Sequence, residues 1–302
     1  MSRLRDAALF VCLGLVWGGG FPATEVGLTA VSPLALAALR YYVGAAVLLA
    51  ALTVVRGRGV LPTGAGDREA VLVGGVFLMG GNGLLFLGQQ FTTGGVASIL
   101  FGLIPVLTAA GGTALLDDGA PDAVELAGVA LGIAGVALVA NPGSAGAEPR
   151  GVALVVGAVV AVSAGNVLVE RADAESDGIV VAAWSMALGA LVLHAGARVA
   201  GETLSLAGAT PVALGSLAFL ALAGSAFAYA VYFTLLGRVG AFRVSLVSYL
   251  VPVVATVVGV VALAEPFGPG ALVGFLLVVG GFVLVQRDPI RRAIAARRPL
   301  SR

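Results

Sequence analysis

Polar residues are bunched along this chain, and between the bunches lie ten apolar runs: residues 7–24, 33–55, 70–91, 94–116, 122–140, 151–169, 179–197, 212–236, 242–263 and 269–286. Each falls within the roughly 17 to 25 residues that a helix needs to cross about 30 Å of hydrocarbon. In lipid every backbone N–H and C=O must be satisfied inside the segment, so apolar runs of this length predict helices. The intervening stretches are short. The longest, 56–69, carries Gly, Pro and charge without an apolar period, which leaves no room for a soluble domain.

The pattern also repeats. Residues 98–118 (SILFGLIPVLTAAGGTALLDD) and 245–265 (SLVSYLVPVVATVVGVVALAE) align without a gap, sharing Ser98/Ser245, Pro105/Pro252, Gly112/Gly259 and an acidic end at Asp118/Glu265. Residues 125–139 lie over 271–285, matching Gly128 with Gly274 and Gly135 with Gly281. Five spans per copy is an odd number, so the second copy enters the bilayer upside down relative to the first, the architecture of many secondary transporters. The predicted fold class is an all-α membrane protein of ten transmembrane helices in two inverted five-helix repeats. The first repeat occupies 1–143, the second 150–286, and 287–302 is a basic cytoplasmic tail.

Composition agrees with a lipid solvent: 59% hydrophobic, 11% charged and a mean hydropathy of +1.07, where a soluble domain carries about 25% charged residues. A net charge of +1 points to no nucleic-acid partner. Lone Cys12, within an apolar run, offers no disulfide framework. All basic residues are arginines, and they decide orientation. With a cytoplasmic N-terminus, fourteen fall on the inner side and only Arg150 and Arg198 on the outer, as the positive-inside rule requires. A cleaved leader over 1–24 would remove one span and invert that bias, so both termini are expected in the cytoplasm and the chain in the plasma membrane.

One basic residue is left inside a span. Arg40 lies about 10 Å beyond Pro33 along its helix at 1.5 Å per residue, and an ionisable group there should face protein or a water-filled cavity. Either its guanidinium holds a solute carboxylate by paired hydrogen bonds, or it forms a structural pair with Glu25 or with helix-end carbonyls. Polar stripes accompany it. Asn82 and Gln89, with Gln90 less well phased, share a side of the third span. Ser225, Tyr229 and Tyr232 share one of the eighth, and Ser245, Ser248, Tyr249 and Pro252 are expected to form a continuous face on the ninth. Singly, such residues are helix glue; as a set they predict a wet interior. Trp17 and Trp184 sit too deep for an interfacial belt and are either packing or cavity wall. The candidate substrate-binding set is therefore Trp17, Arg40, Asn82, Gln89, Tyr229, Tyr232, Ser248 and Tyr249. Pro105 and Pro252, each removing a backbone donor near the midplane, are candidate hinges or static kinks. His194 is expected at an interface, and the small-residue faces Gly128-x3-Gly132 and Gly270-x3-Gly274 say little about oligomeric state.

Trp17-Gly18-Gly19-Gly20-Phe21-Pro22-Ala23-Thr24, then Ser32-Pro33 and Arg40, together with the Pro-centred fourth and ninth spans, resemble EamA-type proteins of the drug/metabolite transporter superfamily over nearly the whole chain. The resemblance implies inverted repeats around a central cavity, alternating access, and export of small metabolites. Glu25 departs from it, standing where many relatives carry lysine, and the Trp-Gly and Arg signals have no counterpart in the second copy.

The function expected is a secondary transporter of a small polar, amino-acid-like or other carboxylate-bearing solute, with membrane lipid as its other partner. A receptor or scaffold without transport is the alternative. An enzyme is least favoured, because one His and one Cys far apart and no catalytic motif leave no nucleophile with a base. No cofactor or metal is expected, and no nucleotide-binding loop of the G-x4-G-K-[ST] type is present. Coupling to a proton or to a counter-solute stays open.

Overall fold

In the computed structural model, residues 2–57, 61–115, 123–139, 148–264 and 268–285 are described, and every regular element among them is helical. Asp118, Glu265, Ser144 and the basic tail lie outside the described residues. The chain runs through α1 (Ser2–Leu28) and α2 (Pro33–Arg56). It continues as α3 (Ala65–Val73), a π-helical turn at Gly74–Gly80, and α4 (Asn82–Gly88). Next come α5 (Gly94–Phe101), α6 (Ile104–Leu115), α7 (Ala123–Val139), α8 (Pro149–Arg171) and α9 (Gly178–Val199). Then α10 (Pro211–Ala221) leads through a second π-helical turn, Leu222–Phe227, into α11 (Ala228–Ser245). A 3-10 turn at Leu246–Tyr249, α12 (Leu250–Leu263) and α13 (Pro269–Val285) complete the described chain.

Among the described residues, seven helical stretches are long and apolar enough to cross a membrane: Ala8–Leu28, Pro33–Val55, Ala65–Gly88, Gly94–Leu115, Pro149–Arg171, Gly178–Val199 and Pro211–Leu263. The last has 53 residues, far more than one crossing needs, and its backbone leaves helical geometry at Gly240 (φ 83°, ψ 162°). Only glycine adopts that conformation without strain, and the break falls between the eighth and ninth apolar runs. Two further runs, expected as full spans, hold shorter apolar helices at Leu126–Gly135 and Pro269–Gly281.

Local chemistry explains where helices start. Thr93 accepts from Val96 N at 3.3 Å, Thr210 from Ala213 N at 3.2 Å, and Asp177 from Ile179 N at 2.9 Å, each satisfying a donor that the first turn leaves orphaned. Pro33, Pro149 and Pro211 occupy first helical positions, where a missing N–H costs nothing.

The sequence repeat carries into the backbone at a constant offset. Asn82 and Tyr229 are 147 residues apart, and each is just past a π-helical turn. The same offset relates Thr93, between the third and fourth runs, to the Gly240 break, and the Gly102-Leu103 interruption between α5 and α6 to the junction of the 3-10 turn with α12. Pro105 and Pro252 each follow one of these interruptions within the first turn of the next helix.

Acidic side chains obey the repeat too. The Glu25 Oε2, near the end of α1, accepts from Gly94 N at the start of α5 (3.3 Å), and the Glu170 Oε2, near the end of α8, accepts from Ala241 N just after the Gly240 break (3.2 Å). A carboxylate is favoured at a helix start by both the free N–H and the dipole. Glu25 is thus a helix cap, and among the described residues no ion pair joins it to Arg40. Between the two halves, α2 lies along α9 and α7 along α13.

Candidate functional site

The two π-helical turns fix the chemistry of the interior. A π turn opens the i→i+4 ladder and leaves a carbonyl outside the α-helical pattern. In the second one, that of Gly224 accepts from Trp17 Nε1 at 3.2 Å and from Arg40 Nη2 at 3.3 Å. The Ser225 hydroxyl donates to Leu220 O at 2.8 Å and accepts from Arg40 Nε at 2.9 Å. The Arg40 guanidinium also lies 4.7 Å from the Tyr41 ring centroid and 5.4 Å from that of Phe86, a cation–π environment. It is 6% exposed, and among the described residues no carboxylate pairs with it.

A second network adjoins the first. Asn82 Nδ2 donates to Leu78 O at 2.6 Å and to the Tyr229 hydroxyl at 3.2 Å, and that hydroxyl shares a 3.1 Å bond with the Tyr41 hydroxyl. The Tyr232 hydroxyl donates to Asn166 Oδ1 at 2.6 Å, and Asn166 Nδ2 reaches Thr108 Oγ1 at 3.4 Å. Trp17, Tyr229 and Tyr232 contact one another edge-on or tilted, with the Trp17 ring 5.4 Å from Tyr229 and 5.2 Å from Tyr232 between centroids.

These groups surround a cavity enclosing about 800 Å³ of empty space, part of it open to the outside. Seven of the eight sequence-predicted site residues line it: Trp17, Arg40, Asn82, Gln89, Tyr229, Tyr232 and Ser248. Tyr249 does not. Residues 246–249 form a 3-10 turn with three residues per turn, so the continuous face expected over Ser245, Ser248, Tyr249 and Pro252 is broken. Ser245 and Ser248 reach the cavity, whereas Tyr249 packs toward Leu103, Ile104 and Val106. Gln90 is exposed and away from the cavity. His194 Nδ1 bonds the Tyr42 hydroxyl at 3.0 Å outside it, and Trp184 packs on the core.

Three contributors escaped the sequence reading. Tyr41, wholly buried, stands beside Arg40 in a span where only the charge drew notice. Asn166 is the one amide in α8, a usable signal. Gly224 acts through a carbonyl, which no side-chain pattern reveals.

The wall is built from equivalent positions of the two halves. At the 147-residue offset, Asn82 pairs with Tyr229, Leu85 with Tyr232, Phe101 with Ser248 and Ile104 with Val251, and all eight line the cavity. Aligning Gly20 and Glu25 with Gly165 and Glu170 pairs Trp17 with Val162 and Phe21 with Asn166, which line it as well. The cavity therefore straddles the relation between the halves, and Arg40 sits to one side of it. Such a chamber, with aromatic walls, fixed polar atoms and one cation, can bind a small molecule; among the described residues no cluster of His, Cys, Asp or Glu suits a metal.

Known proteins are similar to this chain in sequence and in fold. The chain is 29% identical over 255 residues to the uncharacterized inner membrane transporter YedA of Escherichia coli (strain K12), covering 83% of this chain and 80% of that protein. It is 28% identical over 299 residues to a probable terminal-alkyne amino-acid exporter of Streptantibioticus cattleyicolor, covering 98% and 99%. A solved crystal structure superposes with a TM-score of 0.69 at 23% identity over 95% of this chain and 98% of that one, a likeness of fold. The model of the EamA-like transporter family matches residues 5–141 and again 149–287. With apolar helices long enough to span a bilayer and two matches that together cover most of its length, the chain belongs to the EamA-like transporter family and is a multi-pass membrane transporter.

Proposed function

We propose that the protein carries a small carboxylate-bearing solute across the plasma membrane by alternating access, in the direction of export. One observation carries the reading: a guanidinium 6% exposed, on the wall of a cavity, with no carboxylate beside it among the described residues. Burying a cation without an opposite charge costs several kcal/mol, and an anionic group entering the cavity supplies what is missing. The Streptantibioticus relative is named for an amino acid, a solute of this chemistry, and its name as an exporter supports the direction.

The solute site comprises Trp17, Arg40, Asn82, Gln89, Tyr229, Tyr232 and Ser248 at the interface of two inverted repeats, 1–143 and 150–286, of five spans each. Its central position makes it reachable from either side as the repeats rock, with the interrupted helices at Pro105 and Pro252 as flex points. An unbiased comparison of metabolites inside cells with and without the protein tests the function: one or a few carboxylate-bearing compounds should accumulate in cells that lack it. Unchanged pools, together with no flux of those compounds into vesicles holding the purified protein, would favour a receptor or scaffold.

Both termini are cytoplasmic in this reading. Beyond the arginine asymmetry, the Arg238–Asp6 ion pair at 3.2 Å joins two segments that it assigns to the same inner side. Cysteines introduced singly at Ser144 and Gly64 should react with an impermeant reagent from outside and inside respectively; the reverse labelling would sink the topology.

A further inference from the structure

Helix α9 contributes no residue to the cavity wall, yet both of its ends are tied to the first half of the chain. Ahead of its first residue, the Ser176 hydroxyl donates to Asp67 Oδ2 at 2.6 Å and Ser176 N to Asp67 Oδ1 at 2.8 Å, and Gly64 N adds a third bond to that carboxylate at 3.1 Å. Just past its last residue, Glu202 Oε2 accepts from Ala35 N, in the first turn of α2, at 2.9 Å. The two clasps are reciprocal. Asp67 lies between the second and third apolar runs and reaches the start of the seventh; Glu202 lies between the seventh and eighth and reaches the start of the second. Since α9 has 22 residues, about 33 Å at 1.5 Å each, the clasps stand at opposite faces of the hydrocarbon core.

Neither clasp is built to let go. Asp67 is 2% exposed, so parting it from Ser176 strips a buried carboxylate of two of the three bonds just named, and an uncompensated buried charge is costly. Backbone packing closes the same spot, where a Cβ on Gly66 would collide with the Ala172 carbonyl oxygen. The Ala35 N–H, in a wholly buried residue, is one of the donors that a helix start leaves without an internal partner, and Glu202 supplies the acceptor. Between the clasps, the Tyr42 hydroxyl and His194 Nδ1 share a 3.0 Å bond, and a Cβ on Gly44 would lie 3.1 Å from Met186 Sδ. Helix α9 is seated as closely on the first π-helical turn: a Cβ on Gly74 would lie 2.6 Å from Ser185 Oγ, and one on Gly75 2.9 Å from Leu188 Cβ.

A contact that shuts a chamber is made on the closed face and broken on the open one. Here the cavity is open in part to the outside while both clasps are made. The clasp on the open face therefore does not shut it, and its reciprocal partner at the other face has the same role.

We infer that Asp67 and Glu202 are positioning residues that keep α2 and α9 joined at both faces throughout the transport cycle, a fixed frame on which Arg40 holds its depth while the other walls move. Arg40 is the one cavity residue that either helix supplies. This rests on the alternating-access reading and narrows it, because repeats joined in this way do not part as two independent bodies. The movement falls to α1, α8 and the helices interrupted near Pro105 and Pro252.

Distances between pairs of spin labels on the full chain in lipid bilayers, in a Cys12→Ala background, test it, with and without an equimolar mixture of the twenty amino acids. Two pairs report the frame, Val55 with Glu175 at one face and Thr29 with Val199 at the other; Arg5 with Val55 and Arg150 with Val199 report α1 and α8 against it, and all six positions are exposed. The frame pairs should each keep a single distance, whereas the α1 and α8 pairs should each show two, differing by on the order of 5 Å. In Asp67→Ala the Val55–Glu175 distance alone should broaden, and in Glu202→Ala the Thr29–Val199 distance alone; the four distances with both clasps intact stand as a test even if those variants fail to fold. Two distances at either frame pair overturn the inference, and if the α1 and α8 pairs also show two, alternating access survives the loss. A single distance at all four pairs in every condition overturns both.

Discussion

Replacing Arg40 with methionine should abolish solute binding and leave the empty protein as stable as before, or more so. Arg40 donates to Ser225 Oγ and Gly224 O, which at first sight makes it structural. Neither partner depends on it. Ser225 Oγ still donates to Leu220 O, and Gly224 O still accepts from Trp17 Nε1, so the substitution orphans no group that was paired. What it removes is a buried cation without a carboxylate, and apolar replacement of buried charge is often neutral or stabilising by about 1–4 kcal/mol. Methionine also fills irregular space readily. Arg40→Lys keeps the charge but loses the planar fork and its place over the Tyr41 ring. Losing one charge-assisted hydrogen bond, about 1.5–3 kcal/mol, should weaken binding by roughly 10- to 150-fold, with vesicle flux falling in step. Thermal unfolding in detergent separates the roles. An Arg40→Met protein that melts well below the parent makes the arginine a structural clamp, and one that still transports at the parental rate leaves it no part in solute recognition.

The depth and loneliness of Arg40 could be read from the chain, because a charge within an apolar run is conspicuous. Its partners could not, since Ser225 and Gly224 lie 185 and 184 residues away and only the folded repeats bring them together. Helical phase was readable where the helix is regular. Asn82 and Gln89 both follow the first π-helical turn, so their seven-residue spacing survives and both reach the cavity. Ser248 and Tyr249 fall in a 3-10 turn, whose tighter winding turns Tyr249 away. A change of helix type depends on which carbonyl each N–H selects, a choice made by packing and not by any residue pattern. The alternative that paired Arg40 with Glu25 fails for a related reason. Treated as a charge, Glu25 invites Arg40 as partner, but a carboxylate near a helix end satisfies free backbone N–H groups equally well, and only the equivalence with Glu170 and Ala241 reveals that role. Run boundaries were set by hydropathy, which registers lipid contact. The break at Gly240 needs a backbone angle that hydropathy does not report.

The seam between α7 and α13 should be sensitive to added volume, with little effect on the cavity. The two helices cross at matched glycines. A Cβ on Gly281 would lie 2.4 Å from the Gly128 carbonyl oxygen, and one on Gly135 2.6 Å from the Gly274 carbonyl oxygen. Since Gly128 aligns with Gly274 and Gly135 with Gly281, the crossing is reciprocal, each half offering the same pair of positions to the other. Obstruction by a flexible side chain would be relieved by a rotamer change, but backbone oxygen has no such freedom and the helices must move apart. Small residues drive helix association in lipid by allowing close approach, so the whole seam loses contact together. Overpacking of this kind costs about 1–3 kcal/mol, and Gly281→Val should lower the melting temperature by on the order of 5 °C. Gly215→Ala is the control, because no atom lies within 4 Å of a Cβ there and alanine is the better helix former. Neither α7 nor α13 contributes a residue to the cavity wall, so solute affinity measured below the transition should hold within about twofold, well under the factor of 10 that 1.4 kcal/mol represents. A Gly281→Val protein as stable as the parent would mean that the seam is not closely packed in the membrane. One that keeps its stability and loses affinity would tie α13 to the solute site.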